Sequence, residues 1–220
     1  MSTDELIKKQ VVETLAWDDS VDASDIEVKV NNGKVQLSGV VPTYKTKIDA
    51  VTDSWVVEGV ESIENLLRVE YPPGIELPND DELKEKIEKK LEWYPKINAS
   101  EIEVSVKDGT VTLEGVVDAI WKSTRTEDLC EDIIGVLDVK NKLIITPEEK
   151  VSDETIAENI VNALDRNLYV NIDSIDVKVE NGIVTLLGNV KNWTEYNSAL
   201  NIAERTFGVI DIKDKLAIKY

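Results

Sequence analysis

Histidine is absent from the chain, and cysteine, methionine and phenylalanine occur once each. Without histidine there is no Ser-His or Cys-His pair to generate a nucleophile, and no Gly-x-Ser-x-Gly elbow is present. A zinc site lacks its ligand set for the same reason, and Cys130 alone cannot close an intramolecular disulfide. Long apolar runs are also missing, since none approaches the roughly 20 residues that a spanning helix requires. The opening Met1-Ser2-Thr3-Asp4-Glu5 has neither the basic nor the apolar region of a secretory leader, which predicts cytoplasmic residence, or periplasmic residence if a leader has been removed. Positive charge is scarce: Asp and Glu outnumber Lys and Arg 44 to 25, giving a net charge of -19, and no third of the chain is basic. Binding a phosphate backbone needs clustered cations, so nucleic acid is not an expected partner. The acidic pairs Asp18-Asp19, Asp80-Asp81 and Glu148-Glu149 do not repeat the alternating ligands of a calcium loop. With no catalytic residue, cofactor or metal ligand in sight, the chain is expected not to be an enzyme.

Glycine shows what is there. Nine of the ten glycines form three sets, Gly33, Gly39, Gly59, then Gly109, Gly115, Gly135, then Gly182, Gly188, Gly208, each with gaps of 6 and 20 residues. The other residues repeat at the same offsets. Thr3, Asn79 and Ser152 share a helix N-cap position and are followed by acidic residues. Apolar residues then recur every four positions as Ile7, Val11, Leu15; Leu83, Ile87, Leu91; and Ile156, Ile160, Leu164, predicting one buried helix face in each copy. Alternating runs at Ile26, Val28, Val30, at Ile102, Val104, Val106 and at Ile175, Val177, Val179 predict half-buried strands. They end in Asn32-Gly33, Asp108-Gly109 and Asn181-Gly182, dipeptides suited to a tight hairpin turn.

After the returning strands, Gly39, Gly115 and Gly188 fall where a side chain is expected to meet a packed helix or spoil a bend. A second helix is predicted from about Tyr44 to Val57, Ile120 to Ile133 and Trp193 to Thr206, with Gly59, Gly135 and Gly208 as its C-caps. A last strand follows in each copy. The fold class is therefore α+β: three tandem αββαβ modules, each a three-stranded mixed sheet with two helices packed on one face. The boundaries read as 1–71, 79–146 and 152–220, with linkers at 72–78 and 147–151. The first linker, rich in proline, predicts that copies one and two are set apart more stiffly than two and three, and makes residues 71–79 the preferred site of proteolysis.

The block Ile175-Asp176-Val177-Lys178-Val179-Glu180-Asn181-Gly182-Ile183-Val184-Thr185-Leu186-Leu187-Gly188, with equivalents at 26–39 and 102–115, resembles the BON domain. The segments Gly59 to Leu66, Gly135 to Leu143 and Gly208 to Leu216 complete the likeness. The resemblance implies a small αββαβ domain of bacterial envelope or stress-related proteins that associates with phospholipid or membrane surfaces. Copy one, with Leu15-Ala16-Trp17-Asp18, looks similar to soluble bacterial proteins made of three such domains. Two features depart from the pattern: the opening residues are not expected to act as a leader or lipobox, and the charge opposes simple attachment to anionic lipid.

Lys84, Lys86, Lys89 and Lys90 are interleaved with Glu85, Glu88 and Glu92, as on a solvated helix face. Cys130 shares its position with Ser54 and Ala203 and reads as a small core residue. Five tryptophans against one phenylalanine leave Trp17, Trp93, Trp121 and Trp193 as the candidate ligand or interface surface. The plainer expectation is that these rings cap the ends of three small cores or fill contacts between modules. Two partners are consistent with them: a phospholipid surface, or a protein reached by scaffolding or self-association.

Overall fold

A computed structural model describes residues 3–219. Copy one comprises α1 (Thr3–Trp17), β1 (Ile26–Asn31), β2 (Lys34–Val41), α2 (Tyr44–Trp55) and β3 (Ser62–Val69). Copy two repeats the order as α3 (Asp80–Glu92), β4 (Ile102–Lys107), β5 (Thr110–Val117), α4 (Ile120–Glu131) and β6 (Asp138–Ile145). Copy three does so as α5 (Asp153–Asp165), β7 (Ile175–Glu180), β8 (Ile183–Val190), α6 (Trp193–Glu204) and β9 (Asp211–Ile218). Each sheet places its second strand in the middle. In copies one and three the hairpin is antiparallel, and the strand that returns after the second helix pairs parallel to the central one.

The side-chain pattern explains this arrangement. In copy one the four-residue spacing puts Ile7, Val11 and Leu15 on one stripe of α1, and all three are buried with Val28, Val35, Leu37, Val41 and Leu67 of the sheet and Ala50 of α2. Copy three builds the same core from Ile156, Ile160, Leu164, Val184, Leu186, Val190, Ala199 and Ala203. Each large side chain so enclosed contributes about 1.5–3 kcal/mol. Ser54, Cys130 and Ala203 are all fully buried, so the thiol stands in a row that admits only small side chains.

Caps and turns follow the predicted chemistry. Ser152 accepts from the Thr155 amide, and Asn79 with Glu82 closes a reciprocal capping box, each side chain taking the other's backbone N–H at 3.0 Å. Thr3 lies inside the described span of α1. At the hairpins Asn32 and Gly33 have φ of 50° and 71°, left-handed at both central positions as a type I′ turn requires. The acidic residue at the start of each first helix does more than complement its dipole. Asp4 accepts from the amides of Asn32 and Gly33 at 2.8 and 3.1 Å, Asp80 from Asp108 and Gly109 at 2.8 and 3.0 Å, and Asp153 from Asn181 and Gly182 at 2.7 and 2.8 Å. One carboxylate per copy thus ties the first helix to the hairpin turn.

Three expectations need correction. Gly39, Gly115 and Gly188 do not make room for a helix: a Cβ on each would fall on the backbone carbonyl oxygen of Asp25, Glu101 or Ser174, at the entrance to the neighbouring strand. The second helices end two residues early, at Trp55, Glu131 and Glu204, so Gly59, Gly135 and Gly208 are not their caps. Each is instead the third residue of a turn closed by the amides of Val60, Val136 and Val209 onto the carbonyls of Val57, Ile133 and Thr206. Lastly, the proline-rich joint does not hold copy one apart.

The chain packs as two compact units. The first runs to Ile87 and includes Ser105–Thr112 and Leu129–Lys140; the second comprises Glu88–Val104, Leu113–Asp128 and the chain from Asn141. Within the first unit the Tyr71 hydroxyl donates to the Val136 carbonyl at 3.1 Å and accepts from the Gly135 amide at 2.9 Å, and the Pro78 ring lies against Gly135. Both ends of the joint are anchored while Pro72 to Leu77 are exposed. Limited proteolysis is expected to cut between Pro73 and Leu77 and leave the fragments associated. Gel filtration of the nicked protein checks this, and separation of the fragments without denaturant would contradict it.

Candidate binding surface

The first helices place two of the tryptophans. Trp17 and Trp93 each follow the last core leucine, Leu15 or Leu91, by two residues, a turn of about 200° that carries the ring away from the buried stripe. Trp17 is 89% exposed and Trp93 86% exposed. Neither ring caps a core. Trp17 lies at the rim of an open cleft of about 420 Å³ lined by Gln10, Glu13, Thr14, Val56, Val57 and Glu58, whereas Trp93 directly follows a helix end that carries Lys89 and Lys90 in its last turn.

Trp121 and Trp193 are half-buried. Trp121 faces a cleft with Tyr94 and Arg125, whose guanidinium lies 5.2 Å from the Tyr94 ring centroid. Trp193 stacks on Tyr196 at 5.0 Å between centroids. Burial of Tyr196, together with the bond its hydroxyl donates to Asp214, holds that proton well above the usual tyrosine range. The four rings therefore belong to different surroundings, two wholly in water and two in partial contact.

Sequence reasoning passed over a further pair. Leu168 is 98% exposed and Tyr169 69% exposed, in the loop after α5 where copy one has Asp19-Ser20 and copy two has Pro95-Lys96. An apolar pair at a position that is polar in the first copy was the available signal.

Copy one also holds a carboxylate cluster. Burial, then the nearby Asp18, to which it is hydrogen-bonded, and then Asp49, raise Asp53 to about 6, partly offset by Lys45. Asp18 itself is held below the ordinary carboxylate range by the Ser20 hydroxyl and amide, at 2.6 and 2.8 Å. Because the folded-state value of Asp53 lies above its unfolded value of about 4, the folded chain takes up the extra proton between about pH 4 and pH 6. Stability is accordingly lost as pH rises through that window, and the penalty is fully present at neutral pH. Half-burial screens it to about 1 kcal/mol. Asp53→Asn should raise stability at pH 7 by that amount and have no such effect at pH 4. Urea unfolding of both proteins at the two pH values tests this, and an equal effect at both would contradict it.

Among the described residues no group of three or more His, Cys, Asp or Glu side chains is placed to hold a metal ion, and no helix is long and apolar enough to cross a membrane. Comparison with known proteins bears on what remains. Osmotically-inducible protein Y of Escherichia coli is 31% identical over 143 residues, 64% of this chain and 71% of that protein. An uncharacterized protein from the gshII 5' region of Anaplasma centrale is 26% identical over 126 residues, 55% of this chain and 83% of that one. The C-terminal domain of CdsD, a structural protein of the type III secretion system of Chlamydia trachomatis, aligns over the full length of both chains at 14% identity with a TM-score of 0.27, too low to bear on fold or function. The BON domain family matches three times, at residues 3–71, 79–147 and 152–220. Three matches that span nearly the whole sequence, on three modules of one αββαβ order, establish that the chain belongs to the BON domain family.

Proposed function

We propose that this is a non-enzymatic, osmotic-stress-related protein that associates with phospholipid surfaces through exposed indoles, Trp93 foremost. The observation that carries the reading is the near-complete exposure of Trp17 and Trp93 at equivalent positions beside the ends of two first helices. An indole left in water at such a position gains on the order of 2 kcal/mol when its ring enters an apolar phase, and tryptophan suits the boundary because its N–H stays wet. Trp93 is favoured by charge. Trp17 has Glu13 and Glu58 beside it and is followed by Asp18 and Asp19. Trp93, by contrast, follows a last turn in which Lys89 and Lys90 stand beside Glu92 and is itself followed by Tyr94, Pro95 and Lys96, so an anionic headgroup meets less repulsion there. The stress assignment rests on the name of the Escherichia coli relative. The absence of histidine and of any nucleophile-base pair in the sequence agrees with a binding role.

The test is cosedimentation of the full chain with vesicles of phosphatidylcholine alone and mixed with phosphatidylglycerol, at low and high salt. Binding should persist at high salt, because insertion rather than attraction drives it, and should weaken roughly tenfold or more in Trp93→Ala. Absence of binding to either composition, or undiminished binding by the variant, would overturn the reading. Exposed apolar side chains on the strands, Leu66 at 49%, Ile144 at 64% and Leu187 at 44%, favour a second reading in which a protein partner meets the sheets. Capture of a defined partner that is lost on Ile144→Lys, with no vesicle binding, would select it.

A further inference from the structure

Within each compact unit a pair of copies meets in the same sense. In the first unit the start of the second helix of copy one lies beside the end of that of copy two: Lys45 Nζ is 3.8 Å from the Glu131 carboxylate and Lys47 Nζ 3.6 Å from that of Asp138. In the second unit the start of α4 lies beside the end of α6: Ile120 packs on the copy-three core, and Trp121, Arg125 and Asp128 share a cleft with Asn201, Glu204 and Arg205. The loop after the first helix of copy two joins this contact through Tyr94 and Lys96. Each copy thus has a front, made of the start of its second helix and the loop after its first, and a back, made of the end of its second helix. The contacts use the fronts of copies one and two and the backs of copies two and three. Two faces are left over, the back of copy one and the front of copy three.

Apolar side chains are uncovered at both. On the back of copy one, Val56 is 57% exposed at the end of α2. On the front of copy three, Leu168 and Tyr169 are exposed, and Tyr169 stands at the position of Lys96, which lines the contact in the second unit. The charges also change in step. The positions of the Lys45–Glu131 pair are taken on the two free faces by Thr194 and Trp55, and those of the Lys47–Asp138 pair by Tyr196 and Ser62. Both members of each ion pair are uncharged there, so at these four positions neither face sets an unmatched charge against the other, and Glu58 beside Val56 stays at the exposed rim.

We propose that the front of copy three docks on the back of copy one in a second copy of this chain, so that the protein associates head to tail. Such a contact joins two different patches and has no inherent need to close. The net charge of -19 on each chain opposes it. That repulsion is screened as ionic strength rises, while apolar contact is not, so association strengthens with salt. The proposal does not rest on lipid binding, and its test leaves Trp17 and Trp93 untouched.

Sedimentation velocity of the full chain over a wide concentration range, at low salt and at roughly 0.5 M salt, is the experiment. The weight-average mass should grow with concentration and grow more at high salt. Leu168→Asp and Val56→Asp, both at exposed positions, should each weaken association about tenfold or more, with helical circular dichroism unchanged; Tyr169→Ser provides a second front variant of different chemistry. An equimolar mixture of L168D and V56D retains one intact front and one intact back, so it should form dimers and nothing larger. A monomer under all conditions, variants that associate like the parent, or a mixture that stays monomeric while the parent associates would each overturn the proposal.

Discussion

Gly39→Ala is expected to destabilise copy one by about 3–5 kcal/mol, among the largest effects a single methyl can have. Gly39 sits within β2, paired with Ile26, at a φ of 120°. The added Cβ would overlap the Asp25 carbonyl oxygen, which is backbone and can move only if the strand pairing moves with it. Gly74 supplies the control. Its φ of 93° is equally unusual, yet a Cβ there meets nothing within 4 Å. Gly74→Ala should therefore cost only the conformational strain, about 1 kcal/mol. Urea unfolding followed by circular dichroism distinguishes the two, and similar midpoints for G39A and G74A would show that close approach is not the reason for the glycine. Three modules need not unfold in one step, so the comparison is made on the earliest transition.

The second large effect is predicted for Asp153→Ala, at about 2–3 kcal/mol. Asp153 accepts two short bonds from the amides of Asn181 and Gly182, and the Gly182 amide is partly buried, so removal of the carboxylate leaves donors that water only partly satisfies. Asp153→Asn keeps one oxygen acceptor and should recover about half of the loss. Amide hydrogen exchange gives the specific readout: Asn181 and Gly182 should lose protection in D153A before the core of β8 does. Unchanged protection of those two amides would refute the assignment. Because Asp4 and Asp80 make the same pair of bonds, the substitution should act alike in all three copies.

Much of this module is legible along the chain because its determinants are local. The four-residue spacing of Ile156, Ile160 and Leu164, the alternation of Ile175, Val177 and Val179, and the Asn181-Gly182 turn each describe a few consecutive residues, and the structure places them accordingly. What escaped depends on partners far along the chain. That Gly39 faces a carbonyl and not a helix follows from the register of β1 on β2. The clamp from Asp153 to the turn spans 28 and 29 residues, and only the repetition of an acidic residue at that offset hinted at more than a dipole effect. Tyr71 escaped for a different reason: it looked like the edge of a linker, but its hydroxyl is fixed by backbone groups of copy two.

The surface residues were readable in part. Tryptophans at the ends of first helices drew attention as a class, but whether a ring covers a core or stands in water is set by its angle around the helix. Counting two residues beyond Leu15 and Leu91 would have placed both rings outside. Leu168 and Tyr169 carried a signal only by contrast with the other copies. The residues shared by all three copies build the fold, and the proposed recognition through Trp93 uses a position that copy three fills with Arg166.

Tryptophan emission in the presence of vesicles whose acyl chains carry bromine tests that claim most directly, because bromine quenches only rings that enter the apolar phase. Emission of the full chain should shift to shorter wavelength and be quenched, and the change should be mostly lost in Trp93→Ala and largely kept in Trp121→Ala. Emission that is unaltered by the vesicles, or a response that survives the loss of Trp93 intact, would contradict the account.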